Sequence, residues 1–369
     1  MSLNLNAAAE ERDLKALAGL LLTGDQAELK ISVKSLLAKL EYHGITLLAA
    51  EQQTLPSELK SHLAQLKAMM VANDKLKQIE LASLFDTFSD QGLNAVLFKG
   101  SALAYSLYPK PWLRPRSDSD VLIAAKDKIN ADAILRQLGY QKLFAIQGKY
   151  VAYQSTYGKA LAGDSFINID LHWQINNRQM FSQTFTVKEL NSNGARLTQF
   201  ADTPLRSSVG IPGYVDSVLI ASVHRLGHHH TEERLAWLYD IHLLVGRFTD
   251  QDWLELARRA KSKQICAITL DALKTAQHYL STELDDEAMS QLETSASRFE
   301  ASAIFLNRQL SEWHYFWADL KSMSDLKSKF GFLRESIVPS PDYVRQQMNT
   351  RWASIAYIKR FIRGLKRVF

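Results

Sequence analysis

The stretch that decides the fold runs through three segments: residues 95–101 (AVLFKGS), 118–123 (DSDVLI) and 166–173 (FINIDLHW). The first is an apolar run that ends at Lys99-Gly100, the second is apolar after its two aspartates, and the third alternates between apolar and polar positions. Short runs of these kinds, bounded by turn residues, are typical of buried or half-buried β-strands. We therefore predict three strands, the first of them followed at once by a short helix over residues 101–108.

The residues around these segments predict further elements of a mixed sheet. The loop at residues 109–115 contains three prolines, which forbid a long helix before the second strand. A helix is expected over residues 127–138, ending at Gly139. The aromatic and β-branched residues of 140–157 predict one or two more strands.

Apolar residues at helical spacing dominate both ends of the chain. We predict an N-terminal helical region at residues 1–90, an α/β domain at 91–212 and a C-terminal helical domain with a basic tail at 213–369, which makes the fold class α+β. Within the last region, helices are expected at residues 218–226, 234–245, 252–259 and 267–280, with one long helix at 297–320.

Three aspartates are the candidate catalytic and metal-binding residues. Asp118 and Asp120 lie two positions apart on a predicted strand, so their side chains point to the same face. Adjacent carboxylates repel each other unless a cation lies between them, and Mg²⁺ prefers oxygen ligands. Asp170 lies on a later strand and reaches the same site if the two strands are neighbours. Three carboxylates around two Mg²⁺ or Mn²⁺ ions suit in-line phosphoryl or nucleotidyl transfer.

The turn between the first strand and the following helix is a candidate phosphate site. Free backbone N–H groups at a helix N-terminus bind anions, and glycine lets a phosphate approach the backbone closely. Gly100 and Ser101 hold this position, and Ser101 adds a hydroxyl donor. Lys99, Arg114 and Arg116 are cations near enough in sequence to assist.

These motifs, in this order, resemble the nucleotidyltransferase superfamily that includes DNA polymerase beta and kanamycin nucleotidyltransferase. The sequence is more similar still to a bacterial family of uncharacterised nucleotidyltransferases, from about residue 95 to the C-terminus. The blocks that carry this resemblance are KGSAL at 99–103, LYP at 107–109, RP at 114–115, DSD at 118–120, DLHW at 170–173, RLAWLYD at 234–240 and PSP at 339–341.

The resemblance implies a polymerase beta-like palm, a mixed sheet with flanking helices, at residues 91–212. It implies transfer of a nucleoside monophosphate from an NTP, with pyrophosphate as product. Gly100 and Ser101 would then hold phosphate, Asp118 and Asp120 would bind both metal ions, and Asp170 would bind the catalytic metal and help to deprotonate the acceptor hydroxyl. Two features depart from the superfamily pattern: the gap before Asp118 is longer, and Ser119 replaces an apolar residue.

Four further residues are candidates for the substrate pocket: His172, His224, His228 and Arg234. His172 shares a strand face with Asp170. His224 and His228 lie four apart on a predicted helix, which is compatible with a zinc site. The neighbouring sequence lacks the glutamate of a His-Glu-x-x-His protease, so a polar helix end near the acceptor, or a wall against the triphosphate, is favoured. For Arg234, a structural ion pair or a solvated position is as well supported as a role in substrate binding.

The net charge, the C-terminal segment and the cysteine count indicate which kinds of partner and which cell compartment to expect. The net charge of +5 suits an anionic partner. The C-terminal segment carries apolar residues at 358, 361, 362, 365 and 369 among lysines and arginines, a pattern that docks on an anionic membrane or RNA but more often packs on the protein. We expect packing. The single cysteine, Cys266, excludes an internal disulfide, and with no secretory pattern at the N-terminus we expect a cytoplasmic protein.

The leading hypothesis is therefore a metal-dependent nucleotidyltransferase that acts on a hydroxyl of a small molecule, a sugar or a protein. An enzyme acting on an RNA end is the first alternative. A nucleotide-binding regulatory module that has lost turnover is the second, and the presence of all three aspartates argues against it.

Overall fold

The computed structural model describes residues 2–24, 31–51, 55–161, 165–227, 232–296, 300–307 and 310–365. It has an α+β architecture built on one seven-stranded mixed sheet. The strands are β1 (Ala95–Phe98), β2 (Asp118–Ile123), β3 (Gln141–Lys142), β4 (Gln154–Ala160), β5 (Phe166–His172), β6 (Ala195–Phe200) and β7 (Thr203–Ile211).

Helices precede, interrupt and follow the sheet. Before it and within it lie α1 (Ser2–Thr23), α2 (Val33–His43), α3 (Thr46–Glu51), α4 (Lys60–Asp90), α5 (Lys99–Ser106), α6 (Lys128–Gln137), α7 (Gln179–Ser182) and α8 (Val187–Asn193). After it come α9 (Tyr214–Gly227), α10 (Leu235–Val245), α11 (Asp250–Ser262), α12 (Cys266–Leu280), α13 (Asp286–Ser295), α14 (Glu312–Ser322), α15 (Leu326–Ile337), α16 (Pro341–Gln347) and α17 (Ala353–Leu365).

The strand order is β3-β4-β5-β2-β1-β7-β6, with β2 at the centre between β1 and β5. The β2–β5 and β1–β7 pairs are parallel, and the other neighbours are antiparallel. The predicted α+β fold with a mixed sheet and flanking helices is confirmed. The three predicted strands form as expected, and α5 begins at Lys99, two residues earlier than predicted.

Helices cover both faces of the sheet, and the alternation of side chains along each strand explains this. In β1, Val96 and Phe98 join the core shared with the N-terminal and C-terminal helices, while Leu97 joins the core beneath α4 and α6. In β2, Leu122 and its neighbour Val121 divide in the same way. The helices on both sides of the sheet in sequence thus share one core, and the three-part division by residue number stays a prediction.

The long helix expected over residues 297–320 is wrong. The described residues form a 3₁₀ turn at Ala301–Leu306 and the separate helix α14. The rings of Phe305 and Tyr315 stack with their centroids 4.9 Å apart. A continuous helix would separate these residues by about 15 Å along its axis. Stacking therefore requires the chain to fold back on itself.

The β6–β7 hairpin has no counterpart among the predicted elements. Its outer strand, β6, is mostly exposed, so it lacks the apolar alternation that indicates a strand. β7 completes the sheet by pairing with β1 at Val96.

The basic C-terminal helix does not pack through its apolar face, which contradicts our expectation. Ile358, Phe361 and Ile362 on α17 are all exposed. Phe369 and the side chain of Leu365 lie outside the described residues. Within the part of the chain that the structure describes, every helix is too short or too polar to cross a membrane.

The turn that leads into the unpredicted hairpin gives a stability test. A Cβ added at Gly194 would lie 2.0 Å from the carbonyl oxygen of Ile211 and 2.3 Å from that of Leu190, so backbone must shift. We expect Gly194→Ala to lower the free energy of unfolding by about 1–3 kcal/mol. Gly19→Ala on α1 is the matched control, because no atom of the described residues lies within 4 Å of its added Cβ. The control should gain about 0.5–1 kcal/mol. Equal effects in urea denaturation would contradict this packing of the hairpin.

Candidate active site

The central pairing of the sheet brings two of the candidate aspartates face to face. β2 and β5 are neighbours, in a register that sets Asp120 opposite Asp170 and Asp118 opposite Asn168. The condition under which Asp170 reaches the other carboxylates is therefore met. All three aspartates border one pocket.

Asp120 is held by two nitrogen donors. The Lys99 ammonium donates to Asp120 Oδ1 at 2.7 Å, and His172 Nε2 lies 2.8 Å from the same oxygen. Burial works to raise the pKa of Asp120, but the Lys99 charge and the His172 hydrogen bond outweigh it and keep this pKa below its usual range. Burial, reinforced by Lys99, lowers the pKa of His172. A neutral imidazole thus orients an ionised carboxylate.

Lys99 reaches this position from a left-handed backbone conformation, with φ of +53°. A non-glycine residue in this region is unfavourable and persists only where its surroundings enforce it. Here β1 ends at Phe98 and α5 begins at the next residue, Lys99, whose ammonium reaches Asp120 on β2.

Asp170 keeps one oxygen available. Its Oδ2 accepts a hydrogen bond from Gln154 Nε2 at 3.2 Å, whereas its buried Oδ1 has no hydrogen-bond partner among the described residues. A buried oxygen without a donor is costly, which favours a cation or an acceptor hydroxyl beside it.

Asp118 is the carboxyl of the cluster whose pKa is raised. Burial, and then the charges of Asp120 and Asp170, raise the pKa of Asp118 to about 6. Lys99 and Lys77 oppose the shift without cancelling it. This carboxyl therefore titrates just below neutral pH.

The donor set fits a metal ion. Ligand atoms of Asp120, Asp170 and His172 all lie within 4.8 Å of one another. The sequence-based set had Asp118 in place of His172. Asp118 lies on the same strand face as Asp120, and burial, followed by the charges of Asp120 and Asp170, raises its pKa. Mg²⁺ prefers carboxylate oxygens as ligands, and the Nε2 of His172 is already hydrogen-bonded to Asp120. Asp118 is therefore a better third ligand for Mg²⁺ than His172.

The predicted phosphate turn lies beside the carboxylates. Among the described residues no side chain caps the N-terminus of α5, and the first backbone N–H groups of a helix have no partner within the helix itself. Gly100 and Ser101 border the pocket there. Ser101 Oγ lies 2.9 Å from Ser119 Oγ and 3.3 Å from the Asp118 carbonyl oxygen. The unusual Ser119 therefore links α5 to the strand that carries the aspartates.

Two of the predicted phosphate-binding cations are already paired within the protein. Arg114 donates two hydrogen bonds from Nε and Nη2 to the Asp240 carboxylate, which also accepts from Tyr108. Arg116 donates to Asp74 at 2.5 Å and to Tyr105. Both arginines border the pocket, but these bonds anchor the proline-rich loop to α10 and α4.

The pocket has a volume of about 770 Å³, within the range of small-molecule sites. Its far walls come from α2, α3, α4, α9 and α10, with both polar and apolar residues. His224 borders it and makes an edge contact with Trp237 at 5.7 Å. Arg234 borders it too, stacked over Tyr42 at 4.8 Å. His228 lies outside the described residues.

Three residues of the site have no signal in the sequence. Gln154 is positioned by the β4–β5 register, which no local pattern determines. Lys77, on α4, donates to the Arg116 carbonyl oxygen, and burial followed by Arg116 lowers its pKa to about 8. His43 reaches the pocket from α2, and burial followed by Lys39 lowers its pKa to about 4. Each arrives through long-range packing.

The mixed sheet with aspartates on two neighbouring central strands has the arrangement expected of a nucleotidyltransferase, and the family model gives this class. The chain belongs to the family described as "Uncharacterised nucleotidyltransferase", whose family model matches residues 29–281. The predicted family is confirmed, with two corrections to its extent. The match includes most of the N-terminal helices, and it ends before residues 339–341. No curated protein matches the chain significantly.

Three solved structures are similar at low identity. The antibiotic-resistance factor ANT(2'')-Ia is 12% identical and covers 56% of this chain and 98% of its own, with a TM-score of 0.36. JHP933 from Helicobacter pylori is 15% identical, with coverage of 65% and 97% and a TM-score of 0.32. An antigenic nucleotidyltransferase-like protein from Paracoccidioides brasiliensis is 11% identical, with coverage of 58% and 96% and a TM-score of 0.34. The family assignment rests on the family model.

The strain at Asp118 gives a stability prediction. Its folded pKa of about 6 exceeds the unfolded value near 3.8, so the folded state binds the proton more tightly. Stability therefore falls as pH rises from about 4 to about 6, and the full penalty applies above that window. In buffer with a chelator at pH 7.5, Asp118→Asn should raise the free energy of unfolding by about 1–3 kcal/mol and flatten its pH dependence.

The control is Glu10→Gln, which removes an exposed carboxylate on α1 and should stay within about 0.5 kcal/mol of the wild type. Urea denaturation from pH 4.5 to 7.5 measures both variants. If Asp118→Asn is less stable than the wild type at pH 7.5, the ionised Asp118 carboxylate does not destabilise the folded protein and the prediction is wrong.

Proposed function

We propose that the enzyme transfers a nucleoside monophosphate from an NTP to a hydroxyl group of a small molecule, a sugar or a protein, in a reaction that depends on Mg²⁺ or Mn²⁺. The observation that carries the proposal is the register of β2 and β5, which sets Asp120 opposite Asp170, with Asp118 on the same face. The Oδ1 of Asp170, which has no hydrogen-bond partner within the described part of the chain, supports the same proposal.

In this proposal Asp118, Asp120 and Asp170 hold the divalent cations, which supply charge neutralisation for the triphosphate and activation of the attacking oxygen. His172 keeps the Asp120 carboxylate oriented through its Nε2. Lys99 lies at the same carboxylate, where its ammonium is available to the phosphates once the cations are bound.

The reaction exchanges one phosphorus–oxygen bond for another. The acceptor hydroxyl oxygen bonds to the α-phosphorus, the bond from that phosphorus to the bridging oxygen breaks, and pyrophosphate leaves. The hydroxyl proton passes to Asp170, whose Oδ1 has no competing donor among the described residues. Backbone N–H groups of α5 at Gly100 and Ser101 bind the phosphates.

The N-terminal helices contribute to substrate binding in this proposal. Residues of α2 and α3, including His43 and Leu47, border the same pocket as the carboxylates. Together with Trp237 and Arg234 they offer apolar, aromatic and cationic surface to a substrate. A pocket of about 770 Å³ has the size of a small-molecule site, which favours a compact hydroxyl acceptor over an RNA end.

The proposal is tested by binding and transfer together. Calorimetry with each of the four NTPs and Mg²⁺ should give binding that a chelator abolishes. Labelled NTPs incubated with metabolite pools, protein or RNA should label a hydroxyl-bearing small molecule, sugar or protein. Asp170→Asn should slow that transfer by at least about a hundredfold, because the proton loses its acceptor.

Asp127→Asn is the matched control, since it removes a carboxylate that follows β2 outside the pocket. It should keep the wild-type rate. NTP binding that is unchanged by both chelator and Asp118→Ala would overturn the metal assignment, and labelling of RNA alone would replace the acceptor.

Gly100 gives an independent prediction. The atoms nearest to a Cβ added there are those of the Arg114 guanidinium, at 3.6 Å or more, which is an ordinary contact. Gly100→Ala should therefore change the free energy of unfolding by less than about 1 kcal/mol. The methyl group nevertheless obstructs the approach of phosphate to α5, so we expect NTP affinity to fall about tenfold. Calorimetry on the folded variant measures this, and wild-type affinity would remove Gly100 from the phosphate site.

A further inference from the structure

The helix α17 is attached to the protein by the side opposite its large apolar residues. Ala356 is fully buried, Tyr357 donates a hydrogen bond to the Pro339 carbonyl oxygen, and Arg360 donates to the Ser336 carbonyl oxygen at 3.3 Å. Helices of globular proteins normally bury their apolar stripe and expose their polar side. On α17 this arrangement is inverted.

The outward side of α17 is formed by Ile355, Ile358, Phe361 and Ile362, which are 42%, 61%, 69% and 48% exposed. The three isoleucines are three and four positions apart and share one helical face. Isolated exposed apolar residues need no explanation, but a contiguous set marks an interaction site.

α15 repeats the same inversion beside it. Leu326, Phe330 and Ile337 are 83%, 70% and 73% exposed, and their spacing of four and seven residues puts them on one face. The buried side of α15 instead carries Gly331, Phe332 and Glu335. Because Arg360 reaches Ser336, the two helices are in contact, and the exposed Ile337 and Val338 follow Ser336 directly.

The charge of this region favours an anionic partner. Residues 323–369 contain ten lysines or arginines and three acidic residues, a balance of +7, whereas the whole chain carries +5. The rest of the chain is therefore slightly acidic. A second copy of the same surface would bring like charges together, whereas anionic lipid headgroups above an acyl layer complement both the cations and the apolar side chains.

We propose that α15 and α17 form a docking surface for an anionic membrane. The apolar residues of the two helices enter the headgroup–acyl boundary, and Lys359 and its basic neighbours in sequence bind lipid phosphates. The surface lies beyond residue 281, where the match to the family ends, and it is separate from the pocket that holds the aspartates. It would hold the enzyme at a membrane, whichever acceptor it uses.

The test is flotation of the full chain with vesicles. Vesicles of equimolar phosphatidylcholine and phosphatidylglycerol should bind at least about tenfold more tightly than vesicles of phosphatidylcholine alone, and added salt should weaken this binding. Lys359→Gln should weaken it about fivefold, the effect of one basic residue near the surface. The double variant Ile358→Ser with Phe361→Ser should weaken it by at least about tenfold.

Ile129→Ser is the matched control, because Ile129 is 85% exposed on α6, far along the chain from this surface. It should bind as the wild type does. All replaced side chains are exposed, so thermal denaturation should report the same midpoint for every variant. Absence of a preference for anionic vesicles, or equal binding by the double variant and the control, would overturn the proposal. The proposal would also be overturned if the protein bound no vesicles and the double variant instead disrupted a dimer or an RNA complex.

Discussion

The parallel pairing of β2 with β5 is the constraint on which the rest of the structure depends. It brings the carboxylates of Asp120 and Asp170 to opposite positions on neighbouring strands, with Asp118 close enough to feel both. Burial and mutual repulsion make this arrangement unfavourable unless positive charge is near. The Lys99 ammonium and the His172 hydrogen bond stabilise one carboxylate, and the other two remain suited to cations. The buried carboxylates therefore lower the stability of the fold at the place where the proposed reaction needs closely spaced negative charges.

The cations around the pocket divide into two kinds, and their partners decide which is which. Arg114 and Arg116 are neutralised by Asp240 and Asp74, so they hold the proline-rich loop against α10 and α4. Removing one partner of such a buried pair typically costs about 3–5 kcal/mol, which makes both pairs structural supports of the site. Lys99 is different, because its partner is itself a candidate metal ligand. With a nucleotide and its cations bound, the Lys99 ammonium would turn from Asp120 towards the phosphates.

Sequence reasoning succeeded wherever the signal was local. The apolar runs that became β1 and β2 and the alternating segment that became β5 are short and bounded by turn residues, and the aspartates and the Gly100-Ser101 turn lie within or next to them. It failed where packing decided the outcome. The hairpin of β6 and β7 is too polar for its strands to be recognised, and stacking of Phe305 on Tyr315 broke a helix that periodicity favoured. The apolar residues of α17 predicted burial, yet their direction depends on what the opposite side of the helix contacts.

The sequence by itself therefore determined the class of protein: its motifs and their order resemble a nucleotidyltransferase family, and the family model confirms that membership. Only the tertiary structure decided the geometry. The register that opposes Asp120 to Asp170, the pairing of Arg114 with Asp240 and the arrival of Gln154 and His43 at the pocket all join residues far apart in the chain. Such contacts depend on how strands and helices pack, and local propensity carries no information about a partner many residues away.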